Sequence, residues 1–112
     1  MAGQVWTVRL SPEAEQDFVD IVRWTAEQFG PGQARSYRDI LLAAIDELSR
    51  GPEPVLSRPR EEILPGVRTL HVSRAGRRGR HFLMYRTSAD GMIDLLRILH
   101  DSMDLPRHLP HP

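Results

Sequence analysis

Apolar residues recur along this 112-residue chain with two characteristic spacings, and each spacing predicts a different element. Alternation over 5–10 (VWTVRL) is typical of a half-buried strand. A spacing of three or four residues follows, which predicts a helix with Ser11 as its N-cap and Pro12 in its first turn. The same spacing returns between Gly30 and Gly51 and predicts a second helix. Because only the short segment Gly30-Pro31-Gly32 connects the two helices, we expect them to form an antiparallel hairpin.

Each of the two predicted helices has one apolar face that should meet the core. The residues on these faces are Ala14, Phe18, Ile21, Val22, Thr25 and Phe29, and then Ala34, Tyr37, Leu41, Ala44 and Leu48. Trp6 and Trp24 are suited to stacking on bases, but tryptophan is more often buried over much of its surface, so we interpret both as packing in the core or at an interface.

The second half of the chain reads as strands. Four prolines within 51–66 predict an extended connector without an element of its own. Strands are predicted over 67–73, 81–87 and 92–99, and the nearly continuous apolar run of the last is typical of a buried central strand. The fold class is therefore α+β, in the order β-α-α-β-β-β, with the helical hairpin packed on a small, mostly antiparallel sheet. The pattern leaves the position of the first strand open.

Length and composition set the limits of the fold. A chain of 112 residues fits a single domain spanning 1–112, in which 98–112 forms a C-terminal tail that packs on the sheet through Met103, Leu105 and Leu109. Cys is absent, which excludes disulfides and thiolate metal sites. No apolar run approaches the length of a membrane span and no signal-peptide pattern follows Met1, so we expect a cytoplasmic protein.

The zero net charge hides an uneven distribution. All 15 basic residues are arginines, and no Asp or Glu lies between Ile63 and Ala89. The arginines of that acid-free stretch are Arg68, Arg74, Arg77, Arg78, Arg80 and Arg86. The first helix is acidic instead. This separation predicts a basic face that meets an acidic partner or a nucleic acid.

The end of the chain, RILHDSMDLPRHLP, first suggests a metal or acid–base site. His100, Asp104 and His108 have the spacing of one helical face, as metal ligands would. Pro106 and Pro110 make a continuous helix through the segment unfavourable, so we expect no metal and no cofactor. The chain also has no Gly-rich phosphate loop, no nucleophile motif and no convincing carboxylate pair.

Several stretches together resemble the ParE branch of the RelE/ParE toxin superfamily, in order and spacing. They are LSPEAEQDFVDIVRW (10–24), FGPGQARSY (29–37), LPGVRTLHV (64–72), RHFLMYR (80–86) and IDLLRILHDSMDLPRHL (93–109). The resemblance implies the toxin of a bacterial type II toxin–antitoxin module, which inhibits DNA gyrase and is neutralised by a ParD-like antitoxin of the ribbon-helix-helix class. We expect a hetero-oligomer with the antitoxin. From the charge pattern and the tail, the residues that bind antitoxin or target are predicted to be Arg68, Arg74, Arg77, Arg78, Arg80, Arg86, His100 and Met103.

Two alternatives stay open at this point. The first is a RelE-type, ribosome-dependent endoribonuclease that uses His100, Arg86 and Arg68 for proton transfer and charge stabilisation. The chain departs from that pattern: it has no Lys, no Tyr follows the last strand, and Asp101 and Asp104 would repel a phosphate. The residues therefore favour binding over catalysis. The second alternative is a toxin-derived domain that has lost its activity and survives as a binding partner.

Overall fold

The computed structural model describes residues 5–54, 56–73, 76–89 and 91–103. The elements are β1 (Thr7–Leu10), α1 (Pro12–Phe29), α2 (Pro31–Leu48), β2 (Arg58–Pro59), β3 (Arg68–His71), β4 (His81–Ala89) and β5 (Met92–His100). Both helices pack on one five-stranded sheet, so the predicted α+β class and helical hairpin are confirmed. None of the described helices is long and apolar enough to cross a membrane.

The helical hairpin begins and turns at the residues that the sequence indicates. Ser11 Oγ accepts a hydrogen bond from the Ala14 amide at 3.0 Å, which caps α1 as predicted. Gly30 alone separates α1 from α2, and its φ of +93° lies in the left-handed region that favours glycine. Since its amide also bonds to the Ala26 carbonyl, one residue both closes the first helix and begins the second.

The strands lie in the order β1-β5-β4-β3-β2. β1 pairs with β5 in parallel, from Thr7 opposite Met92 to Leu10 opposite Leu95, and the other pairs are antiparallel. β5 therefore lies between β1 and β4, as expected of its apolar sequence. The prediction that the connector 51–66 has no element of its own was wrong at one point, because Arg58–Pro59 forms the short edge strand β2. Proline is tolerated there since an edge strand need not donate on its outer side.

The main core lies between the hairpin and the sheet. Fully buried side chains of α2 meet those of the strands, and they include Leu41, Leu70, Leu83, Tyr85 and Leu95. Buried Tyr85 still satisfies its hydroxyl, which donates to the Pro52 carbonyl at 2.6 Å. A smaller cluster of Phe82, Leu99 and Ile63 covers the opposite face of the sheet. The connector thus supplies cover for the face that the helices leave bare.

Some predicted core positions are exposed. Phe29 is 63% exposed because it is the last residue of α1, where the chain reverses away from the core. Trp24 is 55% exposed and is therefore not a core residue, so packing at an interface stays a prediction for it, whereas Trp6 packs against the core. Residues 98–100 belong to β5 rather than to a tail, and Met103 is 42% exposed. The remainder of the predicted tail, 104–112, lies outside the described residues.

An ion pair closes the edge of β5 where β1 ends. β1 pairs with β5 only up to Leu95, while β5 itself continues to His100. Asp17 of α1 accepts from the Ile98 amide at 2.9 Å and binds the Arg97 guanidinium through both carboxylate oxygens, at 2.8 and 3.0 Å. The carboxylate therefore replaces the missing strand partner, a role that nothing in the sequence pattern indicated.

Candidate partner-binding groove

A groove of about 620 Å³ lies where the helix reversal meets the ends of β4 and β5. Its sides are the end of α1, the first half of α2 and the segment before β4. Its lining includes Trp24, Phe29, Tyr37, Ile40, Arg78, Arg80, His81 and His100. We call this the aromatic groove. It is apolar on the helical side and basic at the strand side.

A hydrogen-bonded tyrosine and histidine form the floor of the aromatic groove. The Arg80 amide donates to Tyr37 Oη at 2.8 Å, and Tyr37 Oη lies 2.6 Å from His81 Nδ1, to which it donates when that nitrogen carries no proton. Burial, with the neighbouring His100, lowers the pKa of His81 to about 4, and burial raises the pKa of Tyr37. His81 is therefore neutral near pH 7, which matches its role as an acceptor. The floor carries no charge.

The histidines at the strand ends have fixed tautomers. The Ser102 amide donates to His100 Nδ1 and the Ser73 amide donates to His71 Nδ1, both at 3.1 Å. In each neutral ring the proton is therefore on Nε2. His100 lies directly opposite His81 in the β4–β5 ladder, with ring centroids 5.2 Å apart. The two rings extend the floor along the sheet.

Asp101 joins the basic residues beside the aromatic groove. It accepts from His71 Nε2 at 3.1 Å and from the Arg80 guanidinium at 3.2 Å. The hydrogen bond from His71, reinforced by Arg80, holds the pKa of Asp101 below its usual range. The carboxylate is therefore ionised at neutral pH and offsets part of the positive charge on Arg80.

The arginines of the acid-free stretch separate into different environments. Arg68 is only 20% exposed: it donates to Ser57 Oγ at 2.7 Å and lies 3.6 Å from a Glu53 oxygen. Arg77, Arg78 and Arg86 are exposed, and none of them forms an ion pair with any residue that the structure describes. Arg74 lies outside the described residues. The sequence-based set of binding arginines is thus not one continuous surface.

The residues proposed for ribonuclease chemistry do not converge. His100 is opposite His81, whereas Arg86 is five positions further along β4, or about 17 Å at the usual rise of a strand. By strand alternation Arg86 also lies on the other face of the sheet from His81. Arg68 lies opposite Tyr85 and is held by Ser57. General acid–base catalysis needs groups within hydrogen-bond reach of one substrate, and this trio lacks that arrangement.

Metal binding finds no support in residues 5–103, apart from the gaps in the description. Among these residues no three His, Asp or Glu side chains are placed to hold an ion together. Asp104 and His108, which the sequence placed beside His100, lie outside the described residues.

Sequence reasoning missed the main components of the aromatic groove. Tyr37 has helical core spacing, and nothing local shows that its hydroxyl reaches across to His81. Trp24 and Phe29 are five residues apart, and that spacing places them on different sides of an ideal helix. Their ring centroids are nevertheless 5.8 Å apart in an edge-to-face contact, because α1 ends at Phe29. Two large aromatic residues at the end of an acidic helix were the available signal.

Comparison with known proteins identifies the family. Residues 8–105 match the family model of the ParE toxin of type II toxin–antitoxin systems, parDE. Toxin ParE1 of Mycobacterium tuberculosis is 37% identical over 100 residues, which cover 89% of this chain and 94% of that toxin. Toxin ParE1 of Caulobacter vibrioides is 30% identical over 101 residues, which cover 90% of this chain and 95% of that toxin.

Solved structures show the same fold. A chain of the chromosomal ParDE system from P. aeruginosa superimposes with a TM-score of 0.72 at 22% identity, covering 88% of this chain and 98% of that one. A chain of the RelBE2 toxin–antitoxin complex from M. tuberculosis gives a TM-score of 0.57 at 24% identity, covering 86% and 91%. The resemblance seen in the sequence is confirmed: this chain belongs to the ParE toxin family of type II toxin–antitoxin systems.

Proposed function

We propose that this ParE-family toxin acts in the cytoplasm by binding and inhibiting DNA gyrase, without chemistry of its own. The observation that carries the proposal is the family match along nearly the whole chain, joined to the separation of His100, Arg86 and Arg68. A binding toxin needs a stable surface, which the sheet and hairpin supply. A nuclease needs converging acid, base and cation, and these residues do not converge.

The neutralising partner in this proposal is a ParD-like antitoxin of the ribbon-helix-helix class. The structural relatives come from a ParDE system and from a toxin–antitoxin complex, which supports a protein partner for this chain as well. Its basic positions, Arg77, Arg78 and Arg86, are exposed and suit an acidic partner. Toxin and antitoxin would form a hetero-oligomer, and release of the antitoxin would expose the toxin to its target.

A supercoiling assay tests the gyrase proposal. Purified chain is added to DNA gyrase, ATP and relaxed plasmid over a range of concentrations. Inhibited supercoiling, or DNA trapped in a cleaved complex with gyrase, is the expected result. Normal supercoiling at concentrations that stop growth in cells would overturn the proposal.

Transcript integrity separates this reading from the nuclease alternative. Messages should remain intact when the chain is expressed, and the double variant His100→Ala/Arg86→Ala should leave them equally intact. Message cleavage that disappears in that variant would establish the endoribonuclease. A chain that binds antitoxin and never slows growth would instead be an inactive toxin-derived partner.

A further inference from the structure

The turn between β3 and β4 carries positive charge that the described part of the fold leaves largely unpaired. Residues 76–80 are Gly-Arg-Arg-Gly-Arg and belong to the acid-free stretch, and we call them the basic turn. Arg77 and Arg78 are exposed and form no ion pair with any described residue, and Arg80 is largely exposed. Like charges so close together repel one another, so the arginines weaken the turn unless a partner neutralises them.

Hydrogen bonds fix the base of the basic turn. Ser73 Oγ accepts from the Gly79 amide at 2.8 Å and donates to the Gly79 carbonyl at 3.1 Å. The Arg80 amide donates to Tyr37 Oη of α2 at 2.8 Å. The arginines therefore extend from an ordered backbone, and a partner that binds them need not first order the base of the turn.

The composition of the basic turn suits phosphate groups better than a protein surface. It contains only glycine and arginine, so it offers no apolar side chain to anchor a partner protein. Arginine binds phosphate oxygens through paired N–H donors and stays charged at physiological pH. Gly76 has a φ of +80° and open space on the side where a side chain would begin, so its backbone permits close approach. Such contacts position a protein on a nucleic acid without reading its sequence.

We propose that the basic turn contacts the phosphate backbone of the DNA that gyrase holds, through Arg77 and Arg78. The proposal rests on the proposed function, which brings the toxin to an enzyme that acts on DNA. Arg80 contributes less, because Asp101 lies 3.2 Å from its guanidinium and offsets its charge. The toxin should therefore bind DNA-loaded gyrase more tightly than gyrase alone. An antitoxin bound to the same arginines would keep the basic turn from DNA.

Duplex DNA fits the basic turn better than single-stranded RNA does. Single strands are bound by stacking of their bases on aromatic side chains along a basic groove. The basic turn has no aromatic residue, and Arg77 does not line the aromatic groove in which Trp24 and Phe29 are exposed. A duplex presents closely spaced phosphates and needs no stacking partner.

The experiment measures the affinity of the purified chain for immobilised DNA gyrase, with and without a linear duplex, by biolayer interferometry. The wild-type chain should bind the DNA-loaded enzyme about tenfold more tightly or better. Arg77→Gln/Arg78→Gln should reduce that preference to less than about threefold and leave the affinity for DNA-free gyrase within about twofold of wild type.

Salt dependence tests the phosphate contacts directly. The slope of log affinity for DNA-loaded gyrase against log salt concentration should fall in magnitude by about 2 in the double variant, since each lost phosphate contact removes about one released counterion. Arg77→Gln alone should lower it by about 1. Because Arg77 does not line the aromatic groove, this single variant separates the basic turn from the groove.

Arg86→Gln is the matched control. Arg86 is also exposed and also lacks an ion pair among the described residues, but it lies about 17 Å from His81 along β4 and on the other face of the sheet. The same loss of one charge should there change the DNA preference by less than about twofold. Equal effects of Arg77→Gln and Arg86→Gln would reduce the result to net charge and overturn the proposal. Thermal melts of every variant exclude loss of folding as the cause.

Three further results would overturn the proposal and leave the gyrase target in place. One is a wild-type chain that binds gyrase equally well with and without DNA. Another is a double variant that loses as much affinity for DNA-free gyrase as for the loaded enzyme, which would place the arginines on the gyrase protein. The third is tighter binding of the chain to a single-stranded RNA probe than to the duplex, abolished in the double variant. If the wild-type chain binds neither form of gyrase, the proposed function is wrong as well.

Discussion

Two aspartate–arginine ion pairs of this toxin differ in their burial and in their hydrogen-bond geometry. Asp17 and Arg97 are bidentate, mostly buried, and joined by the Ile98 amide at the open edge of β5. Asp101 and Arg80 meet through one carboxylate oxygen beside the aromatic groove, where the arginine is largely exposed. The first pair completes the sheet. The second leaves most of a cation available to a partner.

The same difference separates the arginines of the acid-free stretch into those held within the fold and those exposed to a partner. Arg68 resembles the first pair, because Ser57 and Glu53 hold it against the connector. Arg78 resembles the second, since it extends from the rim of the groove with no acidic partner among the described residues. Partly buried charges that are held by several hydrogen bonds stabilise a fold. Exposed charges contribute little to stability and instead steer association.

The largest expected effect comes from breaking the sheet-edge pair. Asp17→Ala removes both oxygens to which Arg97 donates and the acceptor of the Ile98 amide. We expect the free energy of unfolding to fall by about 2–3 kcal/mol, the usual cost of losing hydrogen bonds to a charged group. Urea denaturation measures it. Asp20→Ala on the same helix removes only an exposed contact with Gln16 and should stay within about 0.5 kcal/mol.

A smaller effect tests the packing beneath the aromatic groove. A Cβ at Gly79 would overlap Val72 Cγ2 and lie 3.0 Å from Tyr37 Oη. Gly79→Ala should therefore cost about 1–2 kcal/mol, as overpacking does. The matched control is Gly32→Ala, where no atom lies within 4 Å of the new methyl group. An equal shift of the thermal unfolding midpoint in both variants would contradict the packing described around Tyr37.

The two kinds of arginine can be separated by substitutions of the same type. Arg68→Gln should destabilise by about 1 kcal/mol because it removes the contacts with Ser57 and Glu53. Arg86→Gln, at an exposed position without such contacts, should change stability by less than about 0.5 kcal/mol. Urea midpoints compare the two directly. Equal losses would show that Arg86 also stabilises the fold.

The last effect is absent at neutral pH and appears only on acidification. The pKa of His81 is about 4 in the folded chain against 6.5 when exposed. Its contribution to stability is thus fully present above pH 6.5 and is lost as the pH falls from 6.5 towards 4. His81→Gln, which keeps an acceptor for Tyr37, should reduce that loss. Imidazole NMR signals should titrate near pH 4, and a midpoint near 6.5 would show that the ring is not buried as described.

Local pattern was enough to predict most of the fold. Ser11 and Pro12 begin α1, Gly30 turns the hairpin, and the apolar run ending at Leu99 belongs to β5, an internal strand between β1 and β4. These features depend on neighbours within a few residues, where spacing and capping chemistry are informative. The position of β1 beside β5 needed the structure, because a parallel pair joins distant segments.

The site was less predictable for the same physical reason. The predicted binding set contains Arg78, Arg80 and His100, which line the groove, but also Arg68 and Arg86, which lie elsewhere on the sheet. Which charges are satisfied internally depends on partners far away in the chain, as Asp17 is for Arg97. No periodicity carries that information.

A toxin that acts by binding gyrase must form a complex with it, and that complex can be measured. Purified chain and purified DNA gyrase are mixed and analysed by sedimentation, with and without an excess of the ribbon-helix-helix protein encoded beside the toxin. We expect a toxin–gyrase complex that the antitoxin prevents. Absence of any such complex at toxin concentrations that arrest growth would contradict it.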